Sequence, residues 1–340
     1  MAQMYANDQP SSFRNKIERV AIVGATGRIG SHITKALVEN GKHDITFITR
    51  AESNTELPQG HKSIKVDYSG DDITALTDAL REQDCLIVTM AVTAPPDTLS
   101  KFSRAAAQAK VPYIMPNWFG IGPENDAIAK EEIIGSRMNS VVTEIRRLGV
   151  SSYILLDSQF WYEFSLAGGP SRYGFDFIKK SLVLFDGGDK PMDTTTWPQS
   201  GRAVAALLSL KRLPENASDN STTLANFANG TAYIRSFRVT QRDMFESVKR
   251  VTKETDDEWT ITHESSQARF DESKARVKAN DFTTFTKMLY SRVWMGNAGD
   301  LEGRVGTLHN EALGLPVESL DEATAEAIRL AFSGEIPFGH

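Results

Sequence analysis

Short apolar runs alternate with helix-period segments through the first 157 residues. Strands are predicted at Arg19–Val23, 45–49, 63–66, 85–90, 112–115 and 152–156. Between them, Arg28–Asn40 places Ile29, Ile33 and Leu37 on one face and stops at Gly41. Further helices are predicted at 72–82, 97–110 and 127–148, the last followed by Gly149. Near-continuous apolar strands joined by crossover helices make a doubly wound parallel sheet, an α/β fold.

Residues 1–16 are polar, with Pro10 and two serines, and are expected to be a disordered tail. Beyond Asp157 the alternation breaks. The 158–190 stretch is loop-rich and aromatic, with Phe160, Trp161, Tyr162, Phe164, Tyr173, Phe175, Phe177 and Phe185. A helix is predicted at 201–211, a solvated loop at 214–223 and a strand at 232–239. A helix then opens at Thr240, with Asp243 completing a capping pair, and others follow at 281–294 and 321–332. The expected division is a parallel-sheet domain at 17–157 and a smaller mixed C-terminal lobe at 158–340, whose segments can return to the sheet.

A chain of 340 residues suits two such units. With 38 basic against 44 acidic residues and a net charge of −6, it lacks the basic block that nucleic-acid binding requires. No apolar run is long enough to span a bilayer, and no apolar signal segment opens the chain. Cys85 is the only cysteine, which excludes an intramolecular disulfide and fits a cytoplasmic protein. None of the six histidines has metal-ligand spacing, so no metal is expected.

The sharpest motif is Gly24-Ala25-Thr26-Gly27-Arg28-Ile29-Gly30, directly between the first strand and the first helix. In that context the three glycines serve a tight turn, the close approach of a pyrophosphate, and close packing of helix on sheet. The helix N-terminus supplies free amides and positive potential. This is a Rossmann-type dinucleotide site. The second strand ends in Arg50 where an NAD-selective site usually carries an acid. A guanidinium suits a 2′-phosphate, and Arg28 within the loop reaches the same group, so NADP(H) is the expected cofactor. Glu52 is the competing signal for NAD. Asp67 and Tyr68 follow the third strand, either contacting the adenine or forming an ordinary turn. Ala91 and Val92, after Met90, close the fourth strand beneath the expected nicotinamide ribose.

The chain resembles the NmrA-like and isoflavone-reductase-like branch of atypical short-chain dehydrogenases. The resemblance rests on GATGRIG, Arg50, the segment Tyr113-Ile114-Met115-Pro116-Asn117-Trp118-Phe119-Gly120, the helix end Glu144-Ile145-Arg146-Arg147-Leu148-Gly149, and Ser158-Gln159-Phe160-Trp161. It implies an NADP(H)-dependent reductase of small aromatic or heterocyclic metabolites, with Phe160 against the nicotinamide. Some members only sense the cofactor.

Two departures bear on the chemistry. No tyrosine is followed by lysine four residues on, so the usual short-chain acid is missing. The lysine of the isoflavone type falls at Met138, beside Arg137, and neither is a useful general acid. Lys130 would need a different helix register. Asn117 and Tyr162 are the remaining catalytic candidates; each has a structural alternative, as a loop cap and as a satisfied core tyrosine. Asn117 also sits where it can meet the nicotinamide. Trp118, Phe119, Trp161 and Tyr162 are the expected substrate-pocket walls. Without a general acid, a cyclic imine is a better substrate than a ketone, because an iminium arrives already protonated. The expectation is therefore a reductase of a small cyclic C=N compound or an activated double bond. The rivals are a ketone or enone reductase using Tyr162 or water, a cofactor-sensing regulator, and an isomerase with a structural cofactor. The expected partner is a small molecule, with a homodimer as the expected assembly.

Overall fold

The computed structural model describes residues 3–91, 94, 95, 97–122 and 132–339, with backbone alone over 132–138. Its first half is built from β1 (Arg19–Val23), α1 (Arg28–Asn40), β2 (Asp44–Arg50), β3 (Lys62–Val66), α2 (Thr74–Ala79), β4 (Cys85–Val88), α3 (Thr98–Gln108), β5 (Tyr113–Met115), α4 (Glu132–Leu148) and β6 (Ser152–Asp157). The apolar runs form strands because both faces are covered: Val20 to Val23 and Cys85 to Val88 are all buried.

The second half runs through β7 (Phe160–Trp161), α5 (Tyr162–Leu166), β8 (Phe175–Asp176), β9 (Ser181–Phe185), β10 (Met192–Thr195), α6 (Trp197–Leu208), β11 (Gly230–Tyr233), β12 (Phe237–Val239), α7 (Gln241–Thr252), β13 (Thr260–Glu264), α8 (Ser266–Lys278), α9 (Phe285–Val293), α10 (Leu301–Val305) and α11 (Leu320–Ser333). Seven strands make one sheet in the order β11-β6-β5-β4-β1-β2-β3, parallel throughout. The doubly wound α/β fold is therefore present, with smaller mixed sheets β12-β10-β7 and β13-β9-β8 in the C-terminal lobe. The strand order reverses between β1 and β4. Open sheets of this kind bind ligands outside the carboxyl ends of the strands at that switch point.

Two segments of the second half complete the first. β11 pairs with β6. α6 packs on α1, so closely that a Cβ on Gly201 would lie 2.4 Å from the His32 carbonyl oxygen. This helix begins four residues before the expected Gly201, because the Thr196 side chain caps it at the Gln199 amide and Pro198 suits its first turn. The expected 232–239 strand is two strands of different sheets, parted at Ile234 to Ser236.

The expected disordered tail is corrected over its described part. The amides of Ala6 and Asn7 donate to the carbonyls of Pro214 and Glu215, Asn15 clasps Leu213 through both ends of its amide, and Arg212 lies 4.7 Å from the Phe13 ring centroid. Backbone pairing, invisible to a hydropathy pattern, orders this polar segment.

Candidate active site

The glycine loop sits at the switch point. Gly24 has φ +79°, and a Cβ there would come 1.7 Å from the Thr89 carbonyl oxygen. At Gly30 a Cβ would lie 2.0 Å from the Gly24 carbonyl oxygen and 2.6 Å from Thr89 Oγ1. That hydroxyl donates to the carbonyls of Val23 and Gly24, locking the loop to the end of β4. These two glycines are filled by the protein itself. Gly27 is different. Its φ is −69°, an ordinary value, and the nearest atom to a Cβ is the Gly24 oxygen at 3.2 Å. Its glycine character leaves room for something other than protein.

What belongs there follows from the start of α1. Gly27 offers no capping side chain, and the first turn contains no acid but begins with Arg28. The first amides of a helix lack intrahelical partners, and its dipole is positive at this end. Thr196, Thr240, Ser265 and Ser319 cap α6, α7, α8 and α11 with their side chains, whereas α2, α3, α5 and α9 lack a side-chain cap, as α1 does. What sets α1 apart is the combination: free amides and dipole follow a glycine turn at the switch point, with an arginine as the first helical residue. Thr26, Gly27 and Arg28 are exposed, while Ile29 anchors the turn in the core and can offer only its amide.

Arg50, at the end of β2, is exposed and pairs with the exposed Glu52, at 3.6 Å from Nε to Oε1. An exposed contact of this kind is weak, so the guanidinium is available to a phosphate. Arg28 lies 5.2 Å from the Phe164 ring centroid. Arg172, buried and unnoticed in the sequence, lies 3.8 Å from the same centroid. It donates to the carbonyls of Phe164 and Pro337, and its Nε has no partner among the described residues. Burial and the nearby Arg28 hold its pKa below the usual arginine value. Asp67 closes a turn on the amide and hydroxyl of Ser69, which hold its carboxyl below the usual range, and Tyr68 packs edge-on to Phe102.

The nicotinamide end departs from expectation at several residues. Asn117 accepts from the Met90 amide and donates to the Met90 carbonyl, both at 3.0 Å. It clamps the end of β4 to the loop after β5, the structural alternative its sequence position allowed. Ala91 follows in an exposed position, and Val92 lies outside the described residues. Trp118 is half-buried and donates its indole N–H to the Ile121 carbonyl. Phe119 is buried and packs in the core with residues of β1, β5 and β6. Tyr162 is fully buried; its hydroxyl shares a 2.8 Å hydrogen bond with Thr324 Oγ1 on α11, and its ring meets the edge of Phe237. Burial drives its pKa further up. The hydroxyl is thus held in the core beneath α11, as a satisfied core tyrosine.

Phe160 is half-buried and stacks on Tyr290, with ring centroids 4.0 Å apart. Trp161 packs with Phe164 and Trp197. Lys130 and the side chains of Arg137 and Met138 lie outside the described residues.

Two buried acids escaped the sequence reading. Asp157, the last residue of β6, accepts from the amides of Gly122 and Gln159 and from Gln159 Nε2, and burial raises its pKa to about 6. Gln159 holds a left-handed φ of +55°, a strained value for a non-glycine residue at a strand end. Glu163 accepts from the Trp197 amide, and burial, reinforced by Glu318 and Glu326, raises its pKa to about 8. The one available signal was Asp157's place at a carboxyl strand end.

Residues 24–160 match the family model described as NAD(P)H-binding. This part of the chain is an NAD(P)H-binding domain. Over nearly the whole chain the protein is similar to the oxidoreductase poxI of Penicillium oxalicum, with 23% identity over 323 residues, 90% of this chain and 92% of the relative. The oxidoreductase aprR of Aspergillus flavus is 22% identical over 312 residues, 92% and 99% of the two chains. Among solved structures, pinoresinol-lariciresinol and phenylcoumaran benzylic ether reductases align with a TM-score of 0.71 at 19% identity, covering 91% of this chain and 99% of the other. Isoflavone reductase aligns at 0.68 and 17%, over 91% and 99%. The Citrobacter sp. triphenylmethane reductase complexed with NADP(H) aligns at 0.61 and 17%, with the same coverage. The isoflavone-reductase-like resemblance is thus borne out in the fold. Among the described residues no helix is long and apolar enough to cross a membrane.

Proposed function

We propose that the protein is an NADPH-dependent reductase of a small cyclic or aromatic metabolite, with a cyclic C=N bond as its preferred acceptor. The uncapped start of α1 carries the cofactor part of this reading. Gly27 leaves space for a pyrophosphate, the free amides of the first turn bind it, and Arg28 adds charge. Exposed Arg50, together with Arg28, favours the 2′-phosphate of NADP(H) over a bare ribose. The names of the oxidoreductase relatives, and the NADP(H) complex of a reductase of the same fold, support the same choice.

When bound, NADPH supplies the hydride. The chain's own residues position the reacting groups. Asn117 fixes the end of β4 through Met90, and Phe160, backed by Tyr290, offers a flat apolar wall. The preference for C=N rests on which donors are engaged elsewhere. Tyr162 is sealed beneath α11, and the Asn117 amide is held by Met90. A general acid contributes about 10²–10⁴-fold. A protonated cyclic imine becomes a neutral amine on hydride transfer and needs no such donor, whereas a ketone leaves an alkoxide. The test compares NADPH turnover of a cyclic imine with that of the matching cyclic ketone, in wild type and Tyr162→Phe. Faster imine reduction, unaffected by the substitution, supports the proposal. Faster ketone reduction that is lost in Tyr162→Phe overturns it.

A further inference from the structure

The guanidinium of Arg304 is buried at all three nitrogens, and among the described residues none has a hydrogen-bond partner. A cation held this way is costly, and proteins pair buried charges or leave them for a ligand. The acids nearby are spoken for. Asp193 takes both Arg235 and Arg238, Asp300 takes Arg238, and Glu302 takes Arg235. Asp157, on which the Arg304 charge acts, already accepts three hydrogen bonds of its own.

The helix carrying Arg304 is held firmly beside the site. Asp300 caps α10 at the Gly303 amide, and the Leu301 amide donates to Asp193 Oδ2. Asp193 lies in β10, whose next residue, Thr194, pairs with Phe160. A second orphan belongs to the same carboxylate's surroundings: Gln159 Oε1, on the side chain that holds Asp157, is buried and accepts from nothing among the described residues. Unused donors on an arginine and an unused acceptor on a glutamine beside one carboxyl strand end describe a ligand with both an anion and an N–H.

We propose that Arg304 anchors a carboxylate on the substrate, so that the acceptor is a cyclic imino acid whose protonated ring nitrogen donates to Gln159. A planar guanidinium with free nitrogens matches a carboxylate through two parallel bonds. The inference rests on the reductase reading for the place of the reacting bond, but not for the binding itself.

The probe is pyrrole-2-carboxylate, an unreactive planar acid that keeps a ring N–H at neutral pH, compared with pyrrole-2-carboxamide by calorimetry on the NADP⁺-loaded protein. The carboxylate is expected to bind at least about tenfold more tightly in wild type, and Arg304→Gln is expected to remove the difference. Arg304→Gln should melt no lower than wild type without ligand, since it relieves an unpaired buried cation. Equal binding of the two probes overturns the proposal, as does a carboxylate preference that survives the substitution. So does a large loss of stability in Arg304→Gln, which would make the arginine structural. NADPH titration on the same preparations keeps the readings apart: absent NADPH binding refutes the reductase, whereas normal NADPH binding without a carboxylate preference refutes only the carboxylate anchor.

Discussion

Replacing each loop glycine with alanine separates fold from function within seven residues. At Gly24 the methyl group would meet the Thr89 carbonyl at 1.7 Å, in a backbone at φ +79°. The left-handed conformation costs roughly 1–2 kcal/mol and the overlap about 1–3 kcal/mol more. Gly24→Ala should therefore lose about 2–5 kcal/mol of an ordinary 5–15 kcal/mol. Gly30→Ala avoids the φ strain but forces a methyl to 2.0 Å from the Gly24 oxygen, costing about 1–3 kcal/mol. Gly27→Ala meets one atom at 3.2 Å with an allowed φ, and loses unfolded-chain freedom, so its stability should stay within about 1 kcal/mol of wild type. Its damage should fall on the cofactor, about ten- to a hundredfold in NADPH affinity, because the methyl takes space meant for the pyrophosphate. Urea melts and NADPH fluorescence titrations read the two effects. A Gly27→Ala protein that binds NADPH like wild type would refute the reasoning, as would a Gly24→Ala protein of unchanged stability.

Arg50→Ala should weaken NADPH about ten- to a hundredfold and NADH little, by titration of both cofactors; equal losses would remove Arg50 from the 2′-phosphate. Tyr162→Phe should cost about 1 kcal/mol of stability, through the lost bond to Thr324, and leave kcat unchanged; a collapse of kcat would restore it as the acid. Glu163 is raised to about 8 in the folded chain, so between about pH 4.5 and 8 the unfolded state binds fewer protons and stability falls as pH rises. Glu163→Gln should flatten this slope by up to roughly 1.4 kcal/mol per pH unit in urea melts across that window, and an unchanged slope would mean Glu163 ionises freely.

The cofactor half was legible because its signals are local. An apolar run followed by spaced glycines and a 3.6-period helix occupies one short stretch, and α1 has the bounds its pattern predicts. The C-terminal lobe hid its elements where burial is partial. β13 is exposed along its whole length, and α8 buries Phe270 and Val277 amid charged neighbours, so neither shows a hydrophobic period. The uses of Asn117 and Tyr162 depended on partners 27 and 162 residues away. Arg304 and Glu163 look like ordinary surface charges until the fold buries them.

The central claim is that this chain uses NADPH to reduce a small cyclic compound. It is tested most directly by following nicotinamide absorbance with the purified protein and a panel of cyclic imines, ketones and enones, each with NADPH and NADH. The account predicts NADPH consumption, fastest with the imines and much slower with NADH. Tight NADPH binding with no consumption by any member of the panel would contradict it and leave a protein that senses the cofactor without turning it over.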